Sequence, residues 1–296
     1  FKCPLSSTIA IEIHFVISFR EMPELPEVET IKNELLPSVK GQHFTQVALL
    51  DKELLRQPSA EKFQRLAGQA VETLERRGKY LLFHLSSNQS LIMHFRMTGT
   101  LLLNPRKVGH YARAVFHLSN GNQLVFNDQR RLGTIWLVEN ASTIINKLGP
   151  ESFSENFTPE VLAKQLRKHH IPIKAALLEQ NLIAGIGNMY ADEALFAARI
   201  HPLKRAHTLS IQEIQALFYA IRDVLWSAIG NKGASVDTYI RPEGQLGTAQ
   251  FNFKVAHRYG QPCPVCGTPI QRILVRGRGS YFCPNCQPPG MLLKLI

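Results

Sequence analysis

The chain has 296 residues, enough for about two domains of ordinary size, and its 45% apolar and 19% charged content excludes a wholly disordered chain. Basic residues outnumber acidic ones by 34 to 23, a net charge of +11, which points to a polyanionic partner, nucleic acid before an acidic membrane surface. Five cysteines exclude a disulfide scaffold, and without a run of about 18 apolar residues no transmembrane helix is expected.

Residues 1–22 differ in character from the rest of the chain. The apolar run from Ile9 to Phe19 is broken by Glu12 and His14, and it lacks the basic start and small-residue cleavage site of a signal peptide. The segment is expected to be a non-native upstream extension, with Met22 as the start. Lys2 and Arg20 cancel Glu12 and Glu21, so its removal leaves the charge at +11 and discards only Cys3 among the cysteines. Pro26 suits a first helical turn, and Val28, Ile31, Leu35 and Val39 recur at helical spacing until Gly41. From about residue 47 to 138 the text reads as strands, at 79–85, 91–97, 114–118 and 124–126, with Asn120-Gly121 as a hairpin turn. The fold class is therefore α+β: an antiparallel β-sandwich carrying one N-terminal helix. Leu148-Gly149-Pro150 marks a boundary. Beyond it, 158–168, 173–180, 188–197 and 210–229 have helical period, and the last fifty residues are rich in turn formers.

Three motifs carry chemistry. Cys263-x2-Cys266 and Cys283-x2-Cys286 pair four thiolates at the spacing of a closed, structural zinc site; two disulfides or four unrelated thiols are the plainer alternatives. Arg276, Arg278 and Tyr281 lie beside the second pair, on a hairpin suited to phosphate. Gly185-Ile186-Gly187-Asn188 joins two helical stretches, and free amides at a helix start make an anion site, to which Lys174 would add a charge. Read locally, an ordinary helical corner accounts for the same turn equally well. Third, Met22 precedes Pro23-Glu24-Leu25-Pro26-Glu27. Trimming the methionine would expose the secondary amine of Pro23, a nucleophile near neutral pH that can form an iminium with a sugar, with Glu24 beside it as acid or base. On residue types alone, a proline and acids opening a helix account for this segment better than a nucleophile does.

Together, Met22 to Glu29, Arg76-Arg77-Gly78-Lys79-Tyr80, Asn127-Asp128-Gln129-Arg130-Arg131-Leu132-Gly133, Gly185 to Ala191 and the cysteine finger closely resemble formamidopyrimidine-DNA glycosylases, over essentially all of 22–287. The opening favours that family over the related endonuclease VIII, whose preference is for oxidised pyrimidines. The resemblance implies a catalytic sandwich at 23–150, a helix–two-turns–helix DNA-binding domain at 151–233, a lesion-recognition loop region at 234–255 and a zinc finger at 256–290. It implies removal of oxidised purines from damaged double-stranded DNA, followed by lyase chemistry at the abasic site. One structural Zn2+ is expected, with no catalytic metal or redox cofactor, in a monomeric cytoplasmic protein with no membrane partner. Carried over residue by residue, Pro23 is the Schiff-base nucleophile and Glu24 the proton donor at the sugar. Lys79 serves acid chemistry and phosphate, Arg278 the final elimination, and Asn188 and Lys174 contact phosphate. Met97, Arg130 and Leu132 fill the hole left by the flipped nucleotide, and Tyr111 stands where a histidine contacting DNA is common. Leu132 replaces a usual phenylalanine, and Val255-Ala256-His257-Arg258 a usual Val-Tyr-Gly-Arg. The competing reading is a non-catalytic DNA-binding module, which would apply if the extension kept the Pro23 nitrogen as an amide. His94, on an apolar strand, is expected to be a core residue.

Overall fold

A computed structural model describes residues 22–289. The expectation for residues 1–22 thus lies, except for Met22, outside the described residues. The elements run α1 (Leu25–Val39), β1 (Phe44–Leu49), β2 (Leu55–Gln57), α2 (Ala60–Phe63), β3 (Val71–Arg77), β4 (Tyr80–Leu85), β5 (Ser90–His94), β6 (Gly99–Leu103), β7 (Ala112–Leu118), β8 (Gln123–Asp128), β9 (Thr134–Val138) and α3 (Ser142–Ile145). Beyond these come α4 (Pro159–Leu166), α5 (Ile173–Leu177), α6 (Asn188–Ala197), α7 (Ile211–Gly230), β10 (Gln271–Val275) and β11 (Arg278–Phe282).

The first eleven strand and helix segments make the sandwich. One sheet has the order β1-β7-β8-β6 and the other β2-β9-β5-β4-β3, antiparallel except for the β2–β9 pair. Phe44 and Phe116 from the first sheet meet Phe83 from the second, with ring centroids 5.8 and 6.4 Å from Phe44. Val28, Ile31, Leu35 and Val39 are fully buried and close this core, as their spacing predicts. Leu25, one turn earlier on the same helix, belongs instead to the core of the helical domain, with Leu177, Ile186, Leu195 and Leu217. Helix α1 therefore starts in one core and ends in the other. Helix α7 begins where the sequence indicates: Ser210 accepts from the Glu213 amide, and the Glu213 carboxylate accepts from the Ser210 amide.

Two strand expectations shift. Lys79 is not the first residue of a strand but lies in the β3–β4 turn, which Gly78 enters at φ +58°. The strand expected at 91–97 stops at His94, and Arg96 takes φ +52°, so Met97 sits on a turn rather than at a strand end. Helix α5 likewise ends at Leu177 instead of running to 180. His94 is buried as expected. Its Nδ1 accepts from the Arg96 amide at 3.1 Å, and burial pushes its pKa down to about 3.

The two domains meet at the 148–151 junction. The Arg76 and Arg77 guanidiniums reach Glu151 at 2.8 and 2.9 Å, the Gly78 amide donates to the same carboxylate, and Arg77 also donates to the Gly149 carbonyl. Gly149 runs so close to the turn after α5 that a Cβ there would lie 2.5 Å from the Asn181 carbonyl oxygen. Backbone cannot yield as a flexible side chain can. Gly149→Ala is expected to cost about 1–3 kcal/mol of stability, as overpacking of a tight contact does. The check is thermal or urea melting; an unchanged midpoint would remove Gly149 from the junction's tight contact.

Candidate active site and DNA interface

The site is built around the start of α6. Pro23 and Glu24 are buried in the last residues before α1, and Glu24 is fully inaccessible. Its carboxylate crosses to the other domain, accepting from the Gly187 amide at 2.5 Å and the Met189 amide at 3.1 Å. A carboxylate on the free amides of a helix N-terminus is favoured by both hydrogen bonding and the helix dipole. The approach leaves no room for a side chain at 187, since a Cβ there would overlap the Glu24 carboxyl. Gly185 adopts φ +99°, and its carbonyl accepts from the Leu25 amide at 3.0 Å. Gln180 holds the turn from below, its Oε1 accepting from the Gly185 amide and its Nε2 donating to the Ile186 carbonyl.

Behind Glu24 lies a second buried acid, to which the sequence motif containing it assigns no role in the chemistry. Glu27 accepts from the Glu24 amide at 2.8 Å, the Tyr190 hydroxyl at 2.6 Å and the Ala234 amide at 2.8 Å. Burial outweighs these donors and pushes its carboxyl up. A signal for it exists in the sequence: the acid at the third helical position of a capping box, on the apolar face that Val28 and Ile31 share.

The turns bearing Lys79 and Arg278 stand beside this point. A Cβ on Gly78 would lie 3.3 Å from the Ala184 Cβ and 3.6 Å from the Gly185 amide nitrogen, which brings the turn bearing buried Lys79 against the glycine turn. Arg278 is exposed at the start of β11. Its neighbour Arg276 lies 3.6 Å from Glu179, one residue before Gln180, so the tip of the β10–β11 hairpin stands beside the same turn. Met97 is half-buried on the β5–β6 turn; Arg130 and Leu132 are exposed on the β8–β9 turn, and Tyr111 is exposed just before β7. The two arginines at 130–131 differ. Arg131 is turned back onto Asp51 at 2.6 Å, whereas among the described residues the Arg130 side chain has no such tie.

Lys174 departs from expectation. It is wholly buried, its Nζ donating to Asp192 Oδ1 at 2.5 Å and to the Asn188 carbonyl at 2.8 Å. A lysine enclosed in this way cannot reach phosphate; it ties α5 to the first turns of α6. Burial pushes Asp192 up to about 7 even so, and its other oxygen accepts from the Tyr281 amide of β11. The adjacent Glu193 accepts from the amides of Lys254, Val255 and Ala256 at 2.8–3.0 Å. Asp192 and Glu193 are legible as two acids inside the otherwise apolar Met189–Ala197 run, which is a reason to expect buried partners.

The Sγ atoms of Cys263, Cys266, Cys283 and Cys286 all lie within 4.8 Å of one another. Neighbouring sulfurs are 3.4–3.9 Å apart, far beyond the about 2.05 Å of a disulfide. They match the edge of about 3.8 Å that a tetrahedron with about 2.3 Å zinc–sulfur bonds requires. The donor set fits one closed, structural zinc ion. Cys283→Ser is expected to lose that ion and, with it, the order of the hairpin carrying Arg278, while the sandwich still melts as before. Metal content per chain and a melting curve check this; one zinc retained at full affinity in the variant would overturn the four-thiolate assignment.

Three family models match the chain in succession: the formamidopyrimidine-DNA glycosylase N-terminal domain over 22–135, its H2TH domain over 148–239, and the zinc finger found in FPG and IleRS over 260–289. A formamidopyrimidine-DNA glycosylase from Chloroflexus aurantiacus is 44% identical over 271 residues, covering 90% of this chain and 98% of that relative. One from Symbiobacterium thermophilum is also 44% identical, covering 90% of each. Among solved structures, MutM (Fpg) from Thermus thermophilus superposes with a TM-score of 0.83 at 40% identity, covering 90% of this chain and all of that one. Lactococcus lactis Fpg in complex with abasic-site DNA gives 0.84 at 35%, with the same coverage. With sandwich, helical domain and finger matched in order along nine-tenths of its length, the chain belongs to the formamidopyrimidine-DNA glycosylase family.

Proposed function

We infer that the protein is a base-excision repair enzyme that removes oxidised purines from duplex DNA and then cleaves the abasic strand by lyase chemistry. The observation that carries this reading is the Glu24 carboxylate held on the Gly187 and Met189 amides. It joins the segment of the candidate nucleophile to the turn at the start of α6, so in a chain trimmed to Pro23 the amine and the acid–base group would lie together at the seam between the domains. Relatives named for formamidopyrimidine-DNA glycosylase, and solved complexes with Fapy-dG and carbocyclic 8-oxo-G DNA, support the substrate class.

In this scheme the duplex lies across the cleft and bends at the damaged step, where poor stacking lowers the cost. The lesion nucleotide leaves the stack, and Met97, Arg130 and Leu132 take its place. The Pro23 nitrogen attacks C1′ as the C1′–N9 bond breaks, and the electron pair leaves with the base. Glu24 carries the proton at the sugar, opening the ring to an iminium. That cation withdraws electrons from C2′; loss of the C2′ proton expels the 3′-phosphate, and a second elimination expels the 5′-phosphate. Lys79 and Arg278 supply cations to these phosphates, and the Asn188 side chain holds one flanking the lesion. Electrons balance without an external oxidant. The proposed organisation is a sandwich at 23–150, helices at 151–233, a lesion loop at 234–255 and a finger at 256–290, acting as a monomer in the bacterial cytoplasm. Among the described residues no helix is long and apolar enough to cross a membrane.

The nucleophile must be a free amine. A Pro23 nitrogen acylated by Met22 is an amide whose lone pair is delocalised into the carbonyl. A form beginning at Pro23 is expected to trap covalently on an 8-oxoguanine duplex under borohydride, and a form verified by intact mass to retain Met22 is not. Equal trapping by both would remove Pro23 from the nucleophile's role. Glu24→Gln keeps the shape of the side chain but cannot carry a proton. Base excision in single turnover is expected to fall by about 10²–10⁴-fold with duplex binding retained. Excision at the wild-type rate would dismiss Glu24 as the proton carrier.

A further inference from the structure

Asp128 is fully buried at the base of the two turns that carry Met97 and Arg130–Leu132. Strand β5 belongs to one sheet and β6 to the other, so the turn bearing Met97 crosses the end of the sandwich. Strands β8 and β9 make the reverse crossing through the turn bearing Arg130 and Leu132. The crossings run side by side, with Gly99 opposite Asp128 in one sheet and His94 opposite Thr134 in the other. The Asp128 carboxylate fills the space between them. One oxygen accepts from the Thr98 hydroxyl, next to Met97, and from the Arg130 amide at 3.2 Å; the other accepts from the Gly133 amide at 2.6 Å. The Thr98 oxygen itself accepts from the Arg130 amide at 3.1 Å, closing a ring of bonds between the turns. The Asp128 backbone reaches further, its amide donating to the Tyr111 carbonyl at 2.8 Å and its carbonyl accepting from Arg113 at 2.8 Å.

We propose that Asp128 is a positioning residue that locks the Met97 turn to the Arg130–Leu132 turn, so that the three side chains enter the duplex as one rigid wedge. This rests on the glycosylase reading above. Three donors converge on two oxygens, which an acceptor-only carboxylate satisfies; an amide in its place would turn an NH2 toward a donor. The lock matters more here because Leu132 is smaller than an aromatic wedge and cannot stack, so filling the hole depends on all three side chains arriving together. Arg131 assists by being held at φ +57° and drawn off to Asp51, which leaves Arg130 alone on the DNA side.

The test compares wild type with Asp128→Asn, and with Thr98→Val as a milder cut of the same ring, in the form that traps under borohydride. Single-turnover excision from a duplex lesion is expected to fall by about 10–100-fold in Asp128→Asn, the scale of a small misplacement of a positioning group, and less in Thr98→Val. Borohydride trapping on a single-stranded abasic oligonucleotide, which has no hole to fill, is expected to stay at the wild-type level. In a Met97→Ala background the further loss from Asp128→Asn is expected to shrink to about twofold or less, because the two act through one wedge. Duplex excision at the wild-type rate in both variants would overturn the proposal. So would a parallel fall on single strands with a lowered melting midpoint, which would make Asp128 a support of the fold alone, or full additivity with Met97→Ala. Failure of the wild type to trap on any substrate would instead overturn the glycosylase reading.

Discussion

A carboxylate seated on a helix N-terminus organises this molecule. Glu24 leaves the sandwich domain and is held by amides that α6 cannot satisfy within itself. Much else depends on that contact. Gly187 must lack a Cβ, Gly185 must turn left-handed, and Leu25 must leave its own helix's core for the neighbouring one. The candidate nucleophile adjoins Glu24 in the chain, so fixing one places the other. The acids behind it extend the same logic. Glu27, Asp192 and Glu193 are each buried, and each spends its oxygens on backbone amides, a tyrosine or a lysine rather than on water. In this chain of net charge +11, these acids hold the architecture together and many of the cations remain for the ligand.

What the sequence reveals divides by the range of the interaction. The face of α1 and the capping box of α7 depend on residues a few positions apart, and the four-thiolate finger on two such close pairs whose spacing is itself a signature; all are legible. Strand β3 is harder to see, because a register shift between Val71 and Thr73 breaks its alternation and leaves Val71 and Leu74 buried at a spacing of three. Strand β5 is buried along its whole length, with Leu91 and Met93 in the sandwich core and Ile92 against Leu82 and Val138 on the other face, so it carries no period at all. Lys79 falls in a turn because Gly78 takes a positive φ, which no neighbouring residue announces.

The same rule separates the site residues. Pro23, Glu24 and the cysteines carry their chemistry in local motifs that the family shares. The burial of Lys174 is set by Asp192, eighteen positions away, and by the α5–α6 packing. Read locally, a lysine in a short helix beside a glycine turn is a solvent-facing cation; only tertiary structure turns it into a strut. Asp128 shows the converse. It sits in a tract whose other charges are basic, and nothing local says that it points inward rather than toward DNA.

The pair Asp192–Glu193 also has a mechanical side. Adjacent residues on a helix point about 100° apart. One therefore grips β11, through the Tyr281 amide, and the other the segment at 254–256 that leads into the finger. Gln287 adds a third hold by donating to the Ile200 carbonyl just past the end of α6. The finger is thus held to the α6 region at three separate points. The helical domain in turn meets the sandwich domain at the 148–151 crossing and at Ala234, whose amide donates to Glu27. The Glu24 contact lies across that seam, so one carboxylate both satisfies the start of α6 and fastens the two domains to each other.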